Sequence, residues 1–250
     1  MRIGIIGNGA IAHFVANGIA VRPTWRDAAR LTRTGALTRV ADLPPLDILV
    51  DCAGHAGLSA HGPQALAQGI DILTLSLGAL ADDGLANDLT QAARQGDAKL
   101  HLASGAIGAL DALRAAKTGG LTQVRYTGTK PPKGWRGSPA EDALNLDTLT
   151  TATSHFQGSA RTAALRYPKN ANVAAAVALA GVGFDATEVA LIAAPDATGN
   201  THHIAATGAF GSLEFRVTGL GLPDNPRSSA LAAMSALAAL DNQTAPIRFA

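Results

Sequence analysis

The stretch RIGIIGNGAIA, Arg2–Ala12, decides the fold. Its first half reads as a short buried strand, and the glycines behind it, Gly7-x-Gly9-x-x-Ala12, read as the turn of a dinucleotide-binding unit in its G/A form. The first glycine allows the tight turn, the second lets backbone approach a pyrophosphate, and the small third residue lets helix pack closely on strand. A helix is expected from the turn to about Ile19, with its N-terminus facing the phosphates. Gly7, Gly9, Ala10 and Ile11 are the expected phosphate-cradling residues.

Working outward, Leu46–Cys52 (LDILVDC), Ile70–Ser76 (IDILTLS) and Lys99–Ala103 (KLHLA) are further apolar strands, interleaved with helices expected at Gly62–Gln68 and Leu85–Gln95. Continuous apolar strands alternating with helices indicate a parallel sheet covered on both faces. Residues 1–105 therefore read as an α/β, Rossmann-type doubly wound domain. After Ser104-Gly105 the texture changes. Val124–Gly128 and Asn200–Val217 alternate apolar and polar residues, the latter broken at Ala209-Phe210-Gly211, as antiparallel strands with one covered face do. Helices are expected near Leu144–Thr153 and from about Asn172. The expectation is a second α+β domain with a mixed or antiparallel sheet over 106–221, serving substrate binding, catalysis and dimerisation. Gly221–Pro226 (GLPDNP) reads as a linker, and 222–250, with a helix over Ser228–Leu240, is expected to pack back on the first domain.

Composition narrows the partners. With Lys+Arg 20 against Asp+Glu 19, the net charge of +1 supplies neither the basic field of a nucleic-acid binder nor a polybasic membrane patch, so a small-molecule ligand is expected. The single cysteine, Cys52, excludes an internal disulfide and a four-thiolate zinc site, and its apolar strand makes it a core residue. The histidines show no paired metal-ligand spacing, so no metal is expected. The longest apolar run, Val173–Phe184, falls short of the ~20 residues of a membrane span. The strand pattern begins at once, without an h-region or cleavage signal, which points to the cytoplasm.

A dinucleotide fingerprint usually continues with an acidic residue about 20 positions on, for the ribose hydroxyls. Counting from Ala12 reaches LTRTG, Leu31–Gly35, where Arg33 stands instead of a carboxylate; Arg22–Arg39 holds five arginines against Asp27 alone. An arginine at that strand end suits a 2′-phosphate. The expected cofactor is NADP, with NAD or dual use open; a merely solvated face is the other reading of these arginines.

The later blocks SGAIGALDAL (Ser104–Leu113), KPPKGW (Lys130–Trp135), FQGSARTAA (Phe156–Ala164), YPKNANVAA (Tyr167–Ala175), NTHHI (Asn200–Ile204), GAFG (Gly208–Gly211) and PDNPRSSALAAMS (Pro223–Ser235) carry a resemblance. With the glycine turn before them, the chain resembles the L-aspartate dehydrogenase family almost end to end. The resemblance implies reversible oxidative deamination of L-aspartate, through iminoaspartate, to oxaloacetate and ammonia, with NAD or NADP as acceptor. It places the catalytic histidine on His202 and cofactor contacts on Ala106 and Asn172.

The residue types suit those roles. Ala106 follows the carboxyl end of a parallel strand, where only small side chains let a nicotinamide ring lie against backbone. The Asn172 amide offers donor and acceptor together, leaving Asn170 to cap the helix. A histidine with an ordinary pKa of about 6.5 exchanges protons near neutrality. Since successive strand residues face opposite ways, only one of His202 and His203 can face the site. A dicarboxylate substrate calls for cations, and Lys130, Lys133, Arg161 and Lys169 are the candidates. Two other readings stay open: a reductase of another small carboxylate, of the homoserine or dihydrodipicolinate type, and an NADP-sensing protein without turnover. The second domain's exposed sheet face suggests a homodimer.

Overall fold

Every residue of β1 (Arg2–Ile6) after the first is buried, as suits a central strand. In the computed structural model, which describes residues 1–223 and 225–249, it is followed by α1 (Ala10–Ala20), β2 (Arg26–Leu31), β3 (Ile48–Asp51), α2 (His55–Ala67), β4 (Ile72–Thr74), α3 (Asp83–Gln95) and β5 (Leu100–Leu102). The strands pair in the order β2-β1-β3-β4-β5, all parallel. One face packs Ile3, Ile5, Ile48 and Val50 against Val15 and Ile19 of α1; the other packs Ile6, Leu49 and Ile72 against Leu58 and Leu66 of α2 and Leu89 of α3. This is the doubly wound sheet expected. Two details differ. α2 begins at His55, before the expected Gly62, and the strand that ends ahead of Arg33, whose bounds the sequence pattern leaves open, is β2, an arginine-rich segment. β2 lies at the sheet edge, where charged residues discourage pairing with other chains.

Asp51, at the end of β3, is fully buried. Its Oδ1 accepts from Ala53 N (3.0 Å) and its Oδ2 from Thr74 Oγ1 (2.8 Å) and Ser76 Oγ (2.5 Å), tying the ends of β3 and β4 together. Burial nevertheless raises its pKa, the hydrogen bonds opposing that shift.

The rest of the chain runs α4 (Leu110–Gly119), β6 (Leu121–Lys130), α5 (Ala140–Ala143), β7 (Thr153–Ser159), α6 (Ala160–Arg166), α7 (Asn172–Ala180), β8 (Glu188–Ala193), β9 (Asn200–Gly208), β10 (Gly211–Gly219), β11 (Gly221–Leu222), β12 (Asn225–Ser229) and α8 (Ala230–Thr244). A mixed sheet, β10-β9-β6-β8-β7, has β6 and β8 parallel and its other pairs antiparallel. α4, α6 and α7 pack against it.

The helix expected at Leu144–Thr153 is absent. α5 is a single turn that ends where Leu144 adopts extended backbone, and the Asn145 side chain then accepts from Asp147 N in a local turn. Asn and Thr compete with helix through such bonds, and Thr148, Thr150 and Thr151 crowd the segment. GLPDNP is no open linker either: β11 and β12 pair antiparallel around it, Asp224 lying outside the described residues.

By contacts the chain divides into two units: Met1–Gly105 with the chain from Ala232 onward, and Ala106–Leu231. The β11–β12 hairpin and the first two residues of α8 group with the second unit. Within the first, Ala236, Leu237 and Leu240 of α8 join the cluster around Ile3 and Val15. Leu237 fills the place of a side chain at Gly18, where a Cβ would meet its Cδ1 at 2.3 Å, and Arg22 bonds Asp241 through two nitrogens (2.9 and 2.6 Å). Among the described residues no helix is long and apolar enough to cross a membrane.

Candidate active site

In the first unit the glycine turn has the geometry its sequence requires. Gly7 sits at φ 103°, and a Cβ there would lie 3.2 Å from both Ala53 Cα and the Cys52 carbonyl oxygen, so a side chain is excluded twice. Gly9 caps α1, and a Cβ there would meet nothing within 4 Å, which leaves open backbone at a helix N-terminus whose first turn holds no acid. Ala10 and Ile11 form that first turn, half-buried, above fully buried Ala12. Backbone that a diphosphate can approach, beside unsatisfied N–H groups, fits a dinucleotide.

Arg33 stands exposed two residues past the end of β2. Of its neighbours, Arg22 pairs with Asp241, Arg30 with Asp27 and Arg39 with Asp42, whereas Arg33 has no carboxylate partner among the described residues. Cys52 is a core thiol pushed up in pKa by burial, as expected of a residue that is no nucleophile. No group of three or more His, Cys, Asp or Glu among the described residues could hold a metal ion.

In the second unit the alternation of β6 sends Val124, Tyr126, Gly128 and Lys130 to one buried face. On the adjoining β9 the same alternation buries His202, Ile204 and Ala206, with Gly128 opposite His202 in the register. His203 points the other way and lies 3.8 Å from Glu214. Pleat alone thus sends the two histidines to opposite faces of the sheet, His202 to the buried one.

His202 is 4% exposed, and its Nδ1 lies 2.7 Å from the hydroxyl of buried Tyr126. Its Nε2 makes no hydrogen bond to a described residue. Burial first, and the charge of Lys130 second, push its pKa down to about 4. It is therefore neutral near pH 7 and does not titrate there, contrary to the sequence-based expectation. Lys130 is itself pushed down to about 8 by burial; its Nζ donates to Asn170 Oδ1 (2.7 Å) and sits 4.9 Å from the centroid of the Trp135 ring.

Asn170 is thus no helix cap. α7 starts at Asn172 with Ala171 as its N-cap and no side-chain cap bond, and the Asn170 carboxamide is turned to a lysine 40 positions away. Asn172 is the half-buried first residue of α7, and buried Ala106 is the first residue of the unit.

Trp135 is fully buried, donates to Ile192 O (3.0 Å) and meets His155 edge-on at 4.4 Å between centroids. His155 Nδ1 lies 3.2 Å from the Tyr167 hydroxyl, while its Nε2 is buried without a partner, and its pKa too is pushed down to about 4, mainly by burial. Of the other cations, Arg161 is held by Asp185 through two nitrogens (2.7 and 2.9 Å), and Lys133 and Lys169 are exposed. Lys130 is the candidate cation that the fold withdraws from solvent beside His202. Tyr126 and the Asn170–Lys130 bond were missed from sequence; the period-2 pattern Val124-Tyr126-Gly128-Lys130 was the available signal for the first.

A dinucleotide turn on a parallel sheet, together with a mixed-sheet unit that buries a neutral histidine near a lysine, defines a two-domain nicotinamide-dependent dehydrogenase. Residues 111–243 match the family model described as aspartate dehydrogenase, C-terminal, and residues 7–103 match the NAD-binding domain of homoserine dehydrogenase. The chain is 55% identical to an L-aspartate dehydrogenase of Ruegeria pomeroyi, over 99% of this chain and 94% of that one, and 45% identical to one of Polaromonas, over 97% of each. The crystal structure of aspartate dehydrogenase from Thermotoga maritima superposes with a TM-score of 0.78 at 25% identity, covering 100% of this chain and 99% of that one. The chain belongs to the aspartate dehydrogenase family.

Proposed function

We propose that the protein catalyses the NAD(P)-dependent oxidative deamination of L-aspartate, through iminoaspartate, to oxaloacetate and ammonia, and the reverse. The observation that carries the reading is the pairing, on adjacent strands of one sheet face, of buried His202 with buried Lys130. A bound nicotinamide dinucleotide supplies the hydride acceptor. Gly7, Gly9, Ala10 and Ile11 present backbone to its diphosphate; Arg33, with no carboxylate to neutralise it, takes a 2′-phosphate, so NADP is favoured over NAD. Ala106 and Asn172 serve its nicotinamide end, the alanine by leaving room and the asparagine through its amide.

Lys130 binds a substrate carboxylate, and Asn170 orients the ammonium while Trp135 shields it from water. Arg161 is engaged by Asp185 and Lys169 is exposed, which leaves Lys130 as the substrate-binding candidate with structural support. With Nδ1 facing Tyr126, His202 exchanges protons at Nε2: it takes one from the water that adds to the imine carbon as the C–O bond forms, and returns one when ammonia leaves. A carboxylate bound at Lys130 offsets the charge that depresses the imidazole and raises its basicity when substrate is present. The half-buried outer sheet face, with Thr127, Thr129, Thr201 and His203, supports a homodimer, and the cytoplasm is the expected compartment.

The deciding assay is NADPH oxidation with oxaloacetate and ammonia. Turnover that needs both together supports the reading; turnover with oxaloacetate alone, or better rates with another oxo acid, defeats it.

A further inference from the structure

Tyr126 and Gly128 are two residues apart on the buried face of β6, and the tyrosine ring leans along the strand over the glycine. A Cβ on Gly128 would lie 2.7 Å from the Tyr126 hydroxyl oxygen, 3.2 Å from its Cζ and 3.3 Å from Leu191 Cδ2. The bare α-carbon is therefore the notch through which the hydroxyl reaches His202 Nδ1, 2.7 Å away on the next strand. The two rings lie 20° from parallel, with centroids 6.0 Å apart.

We propose that Tyr126 is the positioning residue of His202 and that Gly128 admits its hydroxyl, the pair fixing the plane of the imidazole and the partner of Nδ1. The proposal rests on the reading of His202 as the proton-transfer group. In the neutral tautomer that leaves Nε2 free to take a proton, Nδ1 carries the hydrogen and the phenol oxygen accepts from it, so the bond persists when Nε2 gains or loses a proton. A carboxylate at this place would accept the same bond, but its charge would favour a protonated ring. Burial keeps the phenol itself protonated by raising its pKa, so it brings no charge into the site. Among the described residues the hydroxyl has no other partner, and its bonding is committed to this ring.

The test uses the ligand-free, 15N-labelled protein, with the His202 ring signals assigned by their loss in His202→Asn. Nδ1 should resonate as a hydrogen-bonded nitrogen in the wild type and move towards the free-imidazole position in Tyr126→Phe and in Gly128→Ala. Gly128→Ala placed on Tyr126→Phe should move it no further, since no hydroxyl remains to displace. In turnover with aspartate, each single variant should lower kcat by roughly ten- to a hundredfold, the worth of a hydrogen bond to a charged group, at unchanged KM for cofactor. The double variant should match Tyr126→Phe. Unmoved ring signals in Tyr126→Phe, or losses that add in the double variant, overturn the proposal. If Gly128→Ala does not fold, Tyr126→Phe, which deletes one atom, decides alone. A wild type inactive on aspartate would defeat the functional reading, while the ring signals would still decide the pairing.

Discussion

Asp51 and Lys130 are both ionisable side chains withdrawn from water at strand ends, one in each unit, yet their surroundings differ in kind. Asp51 meets three fixed donors at the end of its own sheet, so both its oxygens are engaged and its burial ties two strands together. Lys130 has three N–H groups and gives one to Asn170, and His202 beside it uses one ring nitrogen of two. Buried polar groups are normally satisfied, because leaving them otherwise costs free energy. The first cluster belongs to the architecture; the second has bonding capacity left over, which the proposed function assigns to the substrate.

Substitution can break that contrast. The largest effect should follow His202→Asn, which removes proton transfer: kcat should fall ~10²–10⁴-fold while fluorescence titration shows cofactor still bound. Asp51→Ala should act on stability instead, stranding Ala53 N–H and the Thr74 and Ser76 hydroxyls at a cost of about 3 kcal/mol, read by denaturant unfolding, with KM for aspartate unchanged. A raised KM there would erase the distinction between the clusters.

Lys130→Met should do the opposite. KM for aspartate should rise roughly ten- to a hundredfold, as expected for a lost charge-assisted bond, without loss of melting temperature. The sign follows from the titration. Burial lowers the folded pKa from 10.5 to about 8, so the unfolded chain binds the extra proton between those values. Stability therefore rises with pH across that window, and at pH 7 the fold bears the full cost of an ammonium that it disfavours. The same shift predicts that wild-type KM for aspartate climbs above about pH 8 as free Lys130 deprotonates. The smallest effect is expected at the surface, where Arg33→Ala should reduce the proposed NADP-over-NAD preference in kcat/KM by about tenfold, through loss of an exposed charge-assisted contact.

Much of this was legible before any coordinates. The glycine turn and the aliphatic strands of the first unit speak through local rules, and the parallel sheet follows from them. The bounds of β2 were not legible, because an edge strand need not be apolar and its arginines also fit a solvated face. The helix expected near Leu144–Thr153 does not form, because Asn145 and the threonines favour local side-chain bonds over helix. In the site, His202 was singled out by resemblance, and strand alternation said only that it and His203 face opposite ways; its depressed pKa depends on burial and on Lys130, 72 positions earlier in the chain. Asn170 was misread for the same reason: an asparagine ahead of a helix has a good local explanation, and only the fold shows that it answers to a distant lysine.

Because the void at position 128 is sized by an oxygen two residues back, the two positions form one inherited character. A relative that keeps the phenol has room there for hydrogen alone, whereas in one that carries phenylalanine the tightest contact is gone and a methyl has only the ring carbon and Leu191, at 3.2 and 3.3 Å, to ease aside. That correlated swap can be sought in an alignment of the family before any protein is purified.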